Sequence, residues 1–239
     1  RVLSMKAGNP GLIITPADYA RWRSSRLGLL TESIEQRAVL RLCGDLSGRR
    51  VLDLGCGDGG YTLLAAKRGA SAVVGLDISP EMLDVARSHA DAGGTQVRWC
   101  RASVDALPFA RNVFDIIIAV TALCFRGDPG TALKEAARVL RPGGSFVIGE
   151  LGRYSAWAVL RRVRGWLGSR TWSGTRFRTV RELRLAVEAA GLRFDGAVGC
   201  VYYPPVTLLG KALGPFDSVL SPLGQFGAAF IAVKATKSQ

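Results

Sequence analysis

Histidine is almost absent from this 239-residue chain, in which His89 is the only one. A single histidine offers no Ser-His-Asp or Cys-His catalytic arrangement. The five cysteines are scattered and form no Cys-x-x-Cys pair, which argues against both a zinc site and a disulfide framework. We therefore expect no metal site, and we expect a reducing, cytoplasmic compartment.

Long apolar runs and acidic residues are also scarce. No stretch reaches the roughly 18 apolar residues of a membrane-spanning helix, and the first residues lack the apolar core of a signal peptide. The formal net charge is +13, which favours anionic partners such as nucleic acid, a phospholipid surface or an acidic substrate. A solvated, arginine-rich surface explains the same charge, so composition alone selects no partner.

One glycine-rich stretch organises the chain. Residues 51–54 form an apolar segment of strand length, Gly55, Gly57 and Gly60 follow, and then an apolar helical run begins. A strand, a glycine turn and a helix in succession are typical of nucleotide-binding α/β domains. Asp77 ends the next predicted strand, where a ribose-binding acid is expected. The pattern favours an adenosine-type cofactor, either NAD or S-adenosylmethionine (SAM).

Asp53 separates these two cofactors. It lies inside the first strand, where an unpaired charge is costly, and an ammonium group on the cofactor would compensate it, whereas the pyrophosphate of NAD would be repelled. Here the sequence resembles the class I SAM-dependent methyltransferases, in the small-molecule group that includes ubiquinone and menaquinone methylases. The resemblance rests on VLDLGCGDG at 51–59, LDISPEML at 76–83 and RVLRPGG at 138–144.

The resemblance implies the fold. We expect a doubly wound α/β protein with a mostly parallel, seven-stranded sheet whose last strand is antiparallel. We divide the chain into an N-terminal helical lid at 1–45, a SAM-binding core at 46–151, a basic aromatic cap at 152–178 and a C-terminal completion of the sheet at 179–239.

The resemblance also implies which residues bind SAM. Asp77 is expected to accept the ribose hydroxyls, and Ile78 to lie beside the adenine. Ser103 stands where the family commonly has an acid, and its hydroxyl is a weaker acceptor than a carboxylate. The residues expected to bind the cofactor are Tyr19, Asp53, Gly55, Cys56, Gly57, Asp77, Ile78, Met82, Ser103, Val104, Asp105 and Thr121.

Fewer signals point to catalytic residues. Because the sulfonium methyl is already activated, positioning can supply most of the catalysis, and no general base is required. Glu150 ends a predicted strand at the reactive edge, although it is as well suited to pairing with an arginine. The other two candidates are Tyr154 and Tyr202. Trp22 is a candidate lid residue beside Tyr19, with core packing as the alternative.

The segment 152–178 interrupts the alternation of strands and helices. Its pattern predicts a basic amphipathic helix whose apolar face comprises Trp157, Leu160, Val163, Trp166 and Leu167. A cap over the active site, a helix on an anionic membrane surface and a nucleic-acid surface all fit this pattern, and nucleic acid fits least well.

These patterns predict a SAM-dependent methyltransferase that acts by in-line transfer on a small, lipophilic or anionic acceptor. The alternatives are a membrane-associated phospholipid or quinone-precursor methyltransferase, a catalytically silent SAM-binding protein and a nicotinamide dehydrogenase. The sequence leaves the oligomeric state open.

Overall fold

A computed structural model describes residues 15–239, apart from the side chains of residues 170, 221 and 222. The helices are α1 (Pro16–Ser24), α2 (Arg26–Cys43), α3 (Gly60–Lys67), α4 (Pro80–Ala92), α5 (Gly130–Val139), α6 (Ala156–Trp166), α7 (Arg170–Ser173), α8 (Val180–Ala189) and α9 (Thr207–Leu213). The strands are β1 (Arg50–Leu54), β2 (Ala72–Asp77), β3 (Arg98–Arg101), β4 (Phe114–Val120), β5 (Leu140–Leu151), β6 (Leu192–Cys200) and β7 (Phe230–Lys237). None of the described helices is long and apolar enough to cross a membrane.

The seven strands form one sheet in the order β3-β2-β1-β4-β5-β7-β6. The five strands from β3 to β5 are parallel, and β7 runs antiparallel to both β5 and β6. The predicted fold class is therefore confirmed. The chain reverses its direction of travel across the sheet between β1 and β4, which is the place where such sheets open a ligand crevice.

Central strands are apolar on both faces because helices cover both sides of the sheet. In β4, Ile117 and Ile118 are fully buried on opposite faces. Helix α5 contributes Leu133 and Ala136 to one of these layers, and α2 contributes Ile34 to the other. This two-sided packing fixes the carboxyl ends of the strands, and with them the site.

Two connections carry additional structure. Strand β5 begins before its regular pairing with β4, because Leu140 already pairs with Phe114 before the register shifts to Ser145. The intervening residues bulge out, with Gly143 at a φ of 74°. The apolar connection at 206–226 contains α9 and a 3₁₀ helix (Gly214–Leu223).

The basic helix predicted in segment 152–178 is α6, but its predicted apolar face is wrong. Trp157 is buried, whereas Trp166 is 83% exposed. Trp157 is held inside because its ring meets Trp22 edge-on, with centroids 5.6 Å apart, and its indole N–H donates to the carbonyl of Tyr203 over 2.8 Å. Trp166 ends the helix. Trp22 therefore packs between the N-terminal helices and α6, which agrees with core packing as the alternative to a lid role.

Candidate active site

A cavity of about 400 Å³ opens at the carboxyl ends of β1, β2 and β4. Its walls come from α1, from the glycine turn after β1, from the end of β2 and from the segments 102–104 and 120–126. All the predicted cofactor residues line this cavity except Asp105. The topological switch of the sheet and the motif residues therefore meet at one place.

The glycine turn brings its backbone close to the cavity. Gly55 has a φ of 70°, and a Cβ there would lie 2.5 Å from the Cβ of Ala122, so only glycine fits this position. Gly57 has a φ of 54°, and nothing lies within 4 Å of the place its Cβ would take. The turn is anchored because the N–H groups of Gly55 and Cys56 both donate to the carbonyl of Leu76, over 2.7 and 2.9 Å.

Asp77 joins this turn to the start of α4. One carboxylate oxygen accepts the N–H of Gly57 and the other accepts the N–H of Ser79, each over 2.9 Å. Each oxygen keeps acceptor capacity for further donors, as two ribose hydroxyls would provide. Next to it, Ile78 is 60% exposed, and Met82 is buried against the same cavity. A carboxylate beside an apolar wall suits a nucleoside.

Asp53 lies at the bottom of the cavity and is buried. The hydroxyl of Thr62 donates to it over 2.6 Å. Burial raises its pKa to about 7, and the carboxylates of Asp77 and Asp58 add to the rise, while the Thr62 hydrogen bond opposes it. A cation bound nearby would favour the ionised form of Asp53.

Arg23 closes one side of the cavity. Its guanidinium forms ion pairs with Glu32 on α2 and with Asp58 in the glycine turn, and it also lies 5.7 Å from the ring centroid of Tyr19. One side chain on α1 thus connects α1, α2 and the turn. Sequence analysis identified Tyr19 but missed this network. The available signal was that Arg23 lies four residues after Tyr19, on the same helix face.

The lining is rich in carboxylates. It contains two arginines, Arg23 and Arg126. The acidic residues that line it are Glu32, Asp53, Asp58, Asp77 and Glu81. A chain with a net charge of +13 therefore forms a cavity of the opposite sign. Such a lining suits a ligand that carries positive groups and disfavours a pyrophosphate.

The adenine side differs from the prediction at one residue. Ser103 and Val104 line the cavity, and the hydroxyl of Ser103 accepts the N–H of Asp105 over 3.2 Å. Asp105 forms an ion pair with Arg126 instead of lining the cavity. Its other carboxylate oxygen, Oδ1, is buried without a hydrogen-bond partner among the described residues.

None of the three candidate catalytic residues lines this cavity. Glu150 is fully buried and accepts the N–H of Leu123 over 3.1 Å, so it holds the turn after β4, and burial raises its pKa to about 8. Tyr154 stacks on Phe226, and the hydroxyl of Tyr202 donates to the carbonyl of Gly224 over 2.6 Å. Their catalytic roles remain predictions.

Other reactive side chains also have structural contacts. The ring of His89 contacts the carbonyl of Asp58 over 3.0 Å, which supports the glycine turn. The thiol of Cys124 is buried and donates to the carbonyl of Thr121. Within residues 15–239, no group of three or more histidine, cysteine, aspartate or glutamate side chains is placed to hold a metal ion.

Comparisons with known proteins agree with this geometry. Residues 52–148 match the family described as methyltransferase domain. Ubiquinone biosynthesis O-methyltransferase of Methylobacterium sp. (strain 4-46) is 32% identical over 164 residues, which cover 66% of this chain and 66% of that protein. The enzyme of the same name from Idiomarina loihiensis is 32% identical over 165 residues, covering 66% of this chain and 68% of that protein.

A solved SAM-dependent methyltransferase from Thermotoga maritima shares the fold. Its TM-score is 0.70 at 24% identity, over 93% of this chain and 95% of that one. The alignment with the Methylobacterium enzyme covers 66% of that enzyme's length, slightly less than two thirds.

Proposed function

This chain belongs to the class I SAM-dependent methyltransferases, and on that basis we propose that it transfers a methyl group from SAM to a hydroxyl group of a small, lipophilic or anionic acceptor. Two relatives that are 32% identical are named O-methyltransferases of ubiquinone biosynthesis, which supports oxygen as the acceptor atom. The same names make a quinone precursor the more specific candidate.

The carboxylate-rich cavity carries this proposal. The ammonium and sulfonium groups of SAM both suit a lining with five carboxylates and two guanidinium groups. Buried Asp53 gains a positive partner from such a ligand. The dehydrogenase alternative would place a pyrophosphate against these same carboxylates, so the observed lining argues for SAM over NAD.

We assign the cofactor contacts by position. Asp53 and the turn at Gly55–Gly57 would hold the amino-acid end, and Asp77 the ribose hydroxyls. Ile78 and Ser103 would flank the adenine. Bound SAM supplies an electrophilic methyl group on a positively charged sulfur. The chain would contribute orientation for in-line attack and exclusion of water, with Arg23 holding α1 closed over the cavity.

The test is cofactor binding followed by transfer. We would measure thermal shift and calorimetric binding with SAM, S-adenosylhomocysteine (SAH), NAD and NADP. Stabilisation by SAM and SAH alone is expected, and Asp77→Asn should abolish most of it. Asp84→Asn, an exposed acid of α4 paired with Arg87, is the matched control. Stabilisation by NAD or NADP alone would overturn the proposal.

Transfer itself needs a second measurement. Radiolabelled SAM and a panel of hydroxylated acceptors should give a labelled product. Binding of SAH without transfer to any acceptor would favour the catalytically silent alternative.

We also propose that segment 152–178 contacts anionic lipid in a peripheral manner. Trp166 and Leu167 are 83% and 81% exposed, and the exposed Arg164 lies beside them. Exposed aromatic and basic side chains together suit a membrane interface. Cosedimentation with phosphatidylglycerol vesicles, but not with phosphatidylcholine vesicles, is expected. Equal sedimentation of a Trp166→Ser variant would contradict this contact.

A further inference from the structure

A second cavity, of about 310 Å³, lies in segment 152–178, and we call it the cap cavity. It is formed by α6, α7 and the chain on either side of these helices. Its described lining residues are all different from those of the cofactor cavity, and none of them is acidic. The residues used below are the arginines Arg153, Arg162 and Arg176 and the aromatic residues Trp166, Trp172 and Phe177.

Close packing between α6 and α7 forms one wall of the cap cavity. A Cβ on Gly165 would lie 3.1 Å from the backbone carbonyl of Trp172, so glycine allows the two helices to approach each other. The chain after α7 then returns to β5. The N–H of Arg178 donates to the carbonyl of Leu151, and the N–H of Arg153 donates to the carbonyl of Arg178, each over 3.0 Å. Backbone contacts therefore hold both sides of this cavity in place.

Phe177 positions two of the three arginines. The Nε–H group of Arg153 donates to the carbonyl of Phe177 over 3.0 Å, and the guanidinium carbon of Arg162 lies 5.1 Å from the centroid of the Phe177 ring. A terminal nitrogen of Arg162 also donates to the carbonyl of Arg153 over 3.5 Å. Both arginines are half-buried. Because they are already held, their side chains lose less freedom when a ligand binds.

The protein neutralises only part of the positive charge at the cap cavity. Arg153 forms an ion pair with Glu182 of α8 over 2.7 Å. Among the described residues, no carboxylate forms an ion pair with Arg162 or Arg176. Positive groups that line one cavity repel each other, whereas an anion placed among them is attracted by each. The arrangement therefore favours a ligand with several negatively charged oxygen atoms.

The cap cavity is a neighbour of the cofactor cavity. Phe125 lines the cofactor cavity and Trp172 lines the cap cavity, and both rings pack against the same small apolar cluster. The N–H of Arg176 donates to the carbonyl of Cys124 over 2.7 Å, next to Phe125. A molecule anchored in the cap cavity would therefore remain close to the cofactor site.

We propose that the cap cavity binds a phosphate monoester group. Such a group carries nearly two negative charges at neutral pH and three acceptor oxygens, whereas a carboxylate carries one charge and two oxygens. Three guanidinium groups therefore match the phosphate better. Trp166, which lines the cavity and is 83% exposed, would contact the organic part beside the phosphate. This site is additional to the proposed methyl transfer and does not depend on it.

The first experiment titrates the full chain with inorganic phosphate and with glycerol 3-phosphate. The titrations are done at about pH 7.5, above the second phosphate pKa of about 6, with sodium chloride added to keep the ionic strength constant. Calorimetry should show saturable binding. Arg176→Gln should weaken it about tenfold or more, because one of three charged donors is lost. Arg176 is exposed and its side chain has no partner among the described residues, so this variant should fold normally.

A second variant and a matched control accompany this titration. Arg162→Gln should weaken phosphate binding by a similar factor. Arg164→Gln removes an exposed arginine of the same helix that does not line the cap cavity, and it should bind phosphate as the wild type does. Equal affinities of the wild type, Arg176→Gln and Arg162→Gln for phosphate would overturn the proposal.

Vesicles distinguish the two sources of a phosphate monoester, a soluble ester and the headgroup of phosphatidic acid. Cosedimentation compares phosphatidylcholine vesicles that contain phosphatidic acid with others that contain phosphatidylserine at matched surface charge. A preference for phosphatidic acid that Arg176→Gln removes would identify the lipid. Binding of glycerol 3-phosphate without that preference would identify a soluble ester.

Equal binding to both kinds of vesicle, together with no saturable binding of the soluble phosphates, would overturn the proposal. The chain would then attract anions only through its general charge. SAH binding tests the proposed function separately, because none of these arginines lines the cofactor cavity.

Discussion

Replacing Asp53 with asparagine should stabilise the cofactor-free protein at neutral and alkaline pH. Asp53 is buried beneath the glycine turn, and burial raises its pKa from 3.8 to about 7. The folded protein therefore binds this proton more tightly than the unfolded chain does. The stabilisation that this proton gives is complete below the pKa of Asp53 in the unfolded chain, and it is lost as the pH rises toward 7.

The magnitude follows from the shift. About three pKa units at roughly 1.4 kcal/mol each correspond to about 4 kcal/mol lost across this range. Asparagine keeps an acceptor for the Thr62 hydroxyl, but its amide N–H groups lack an assured partner, which costs about 1–2 kcal/mol at every pH. Asp53→Asn should therefore gain about 2–3 kcal/mol above pH 7 and lose a similar or smaller amount near pH 4.

Urea unfolding of the cofactor-free protein at several pH values measures this difference. The free energy of unfolding of Asp53→Asn minus that of the wild type should rise by about 4 kcal/mol between about pH 4 and pH 7, and then level off. The constant cost of the amide cancels from this slope. Asp84→Asn, an exposed acid, should show little change. A stability difference between the variant and the wild type that does not vary with pH would refute the reasoning. In a separate measurement, unchanged SAH affinity in Asp53→Asn would show that Asp53 does not contribute to cofactor binding.

Three further predictions concern the cavity. Gly55→Ala should lower the free energy of unfolding by about 1–3 kcal/mol, because the new Cβ meets Ala122 at 2.5 Å and the φ of 70° is strained for alanine; a urea midpoint equal to that of the wild type would contradict this. Arg23→Gln should raise the SAH dissociation rate about tenfold, because Glu32 and Asp58 lose their shared partner and α1 loosens. Stopped-flow displacement measures this rate. An unchanged rate would show that α1 does not retain the ligand. Ser103→Asp should strengthen SAH binding several-fold by calorimetry, since a carboxylate accepts the adenine amino group better than a hydroxyl does; weaker binding would place the adenine elsewhere.

The sequence predicted those parts of the site that depend on residues close to one another along the chain. The glycine turn was recognisable because Gly55 and Gly57 need positive φ angles, and such a need leaves a local signature. Asp77 was placed correctly at the end of β2 because strand boundaries follow from the apolar pattern. Both features act over a few residues, so a linear pattern carries them.

Features that join distant segments could not be read in this way. Arg23 meets Asp58 across 35 positions of the chain, and no periodicity relates α1 to the glycine turn. Trp157 and Trp166 share a helical pattern, yet packing against Trp22 buries only one of them. The domain boundaries proposed from the sequence remain a prediction.

The contrast between an acidic cavity and a basic exterior has a kinetic consequence. SAM carries a net positive charge, since its sulfonium and ammonium outweigh one carboxylate. At distances beyond the cavity mouth it meets the field of a chain with a net charge of +13, and only inside does attraction prevail. At 0.1 M salt, electrostatic interactions in solvent are screened beyond about 10 Å. Salt therefore weakens the long-range repulsion outside the cavity more than it weakens the contacts inside it. The association rate constant of SAM should therefore rise with ionic strength, the reverse of the behaviour of electrostatically steered ligands.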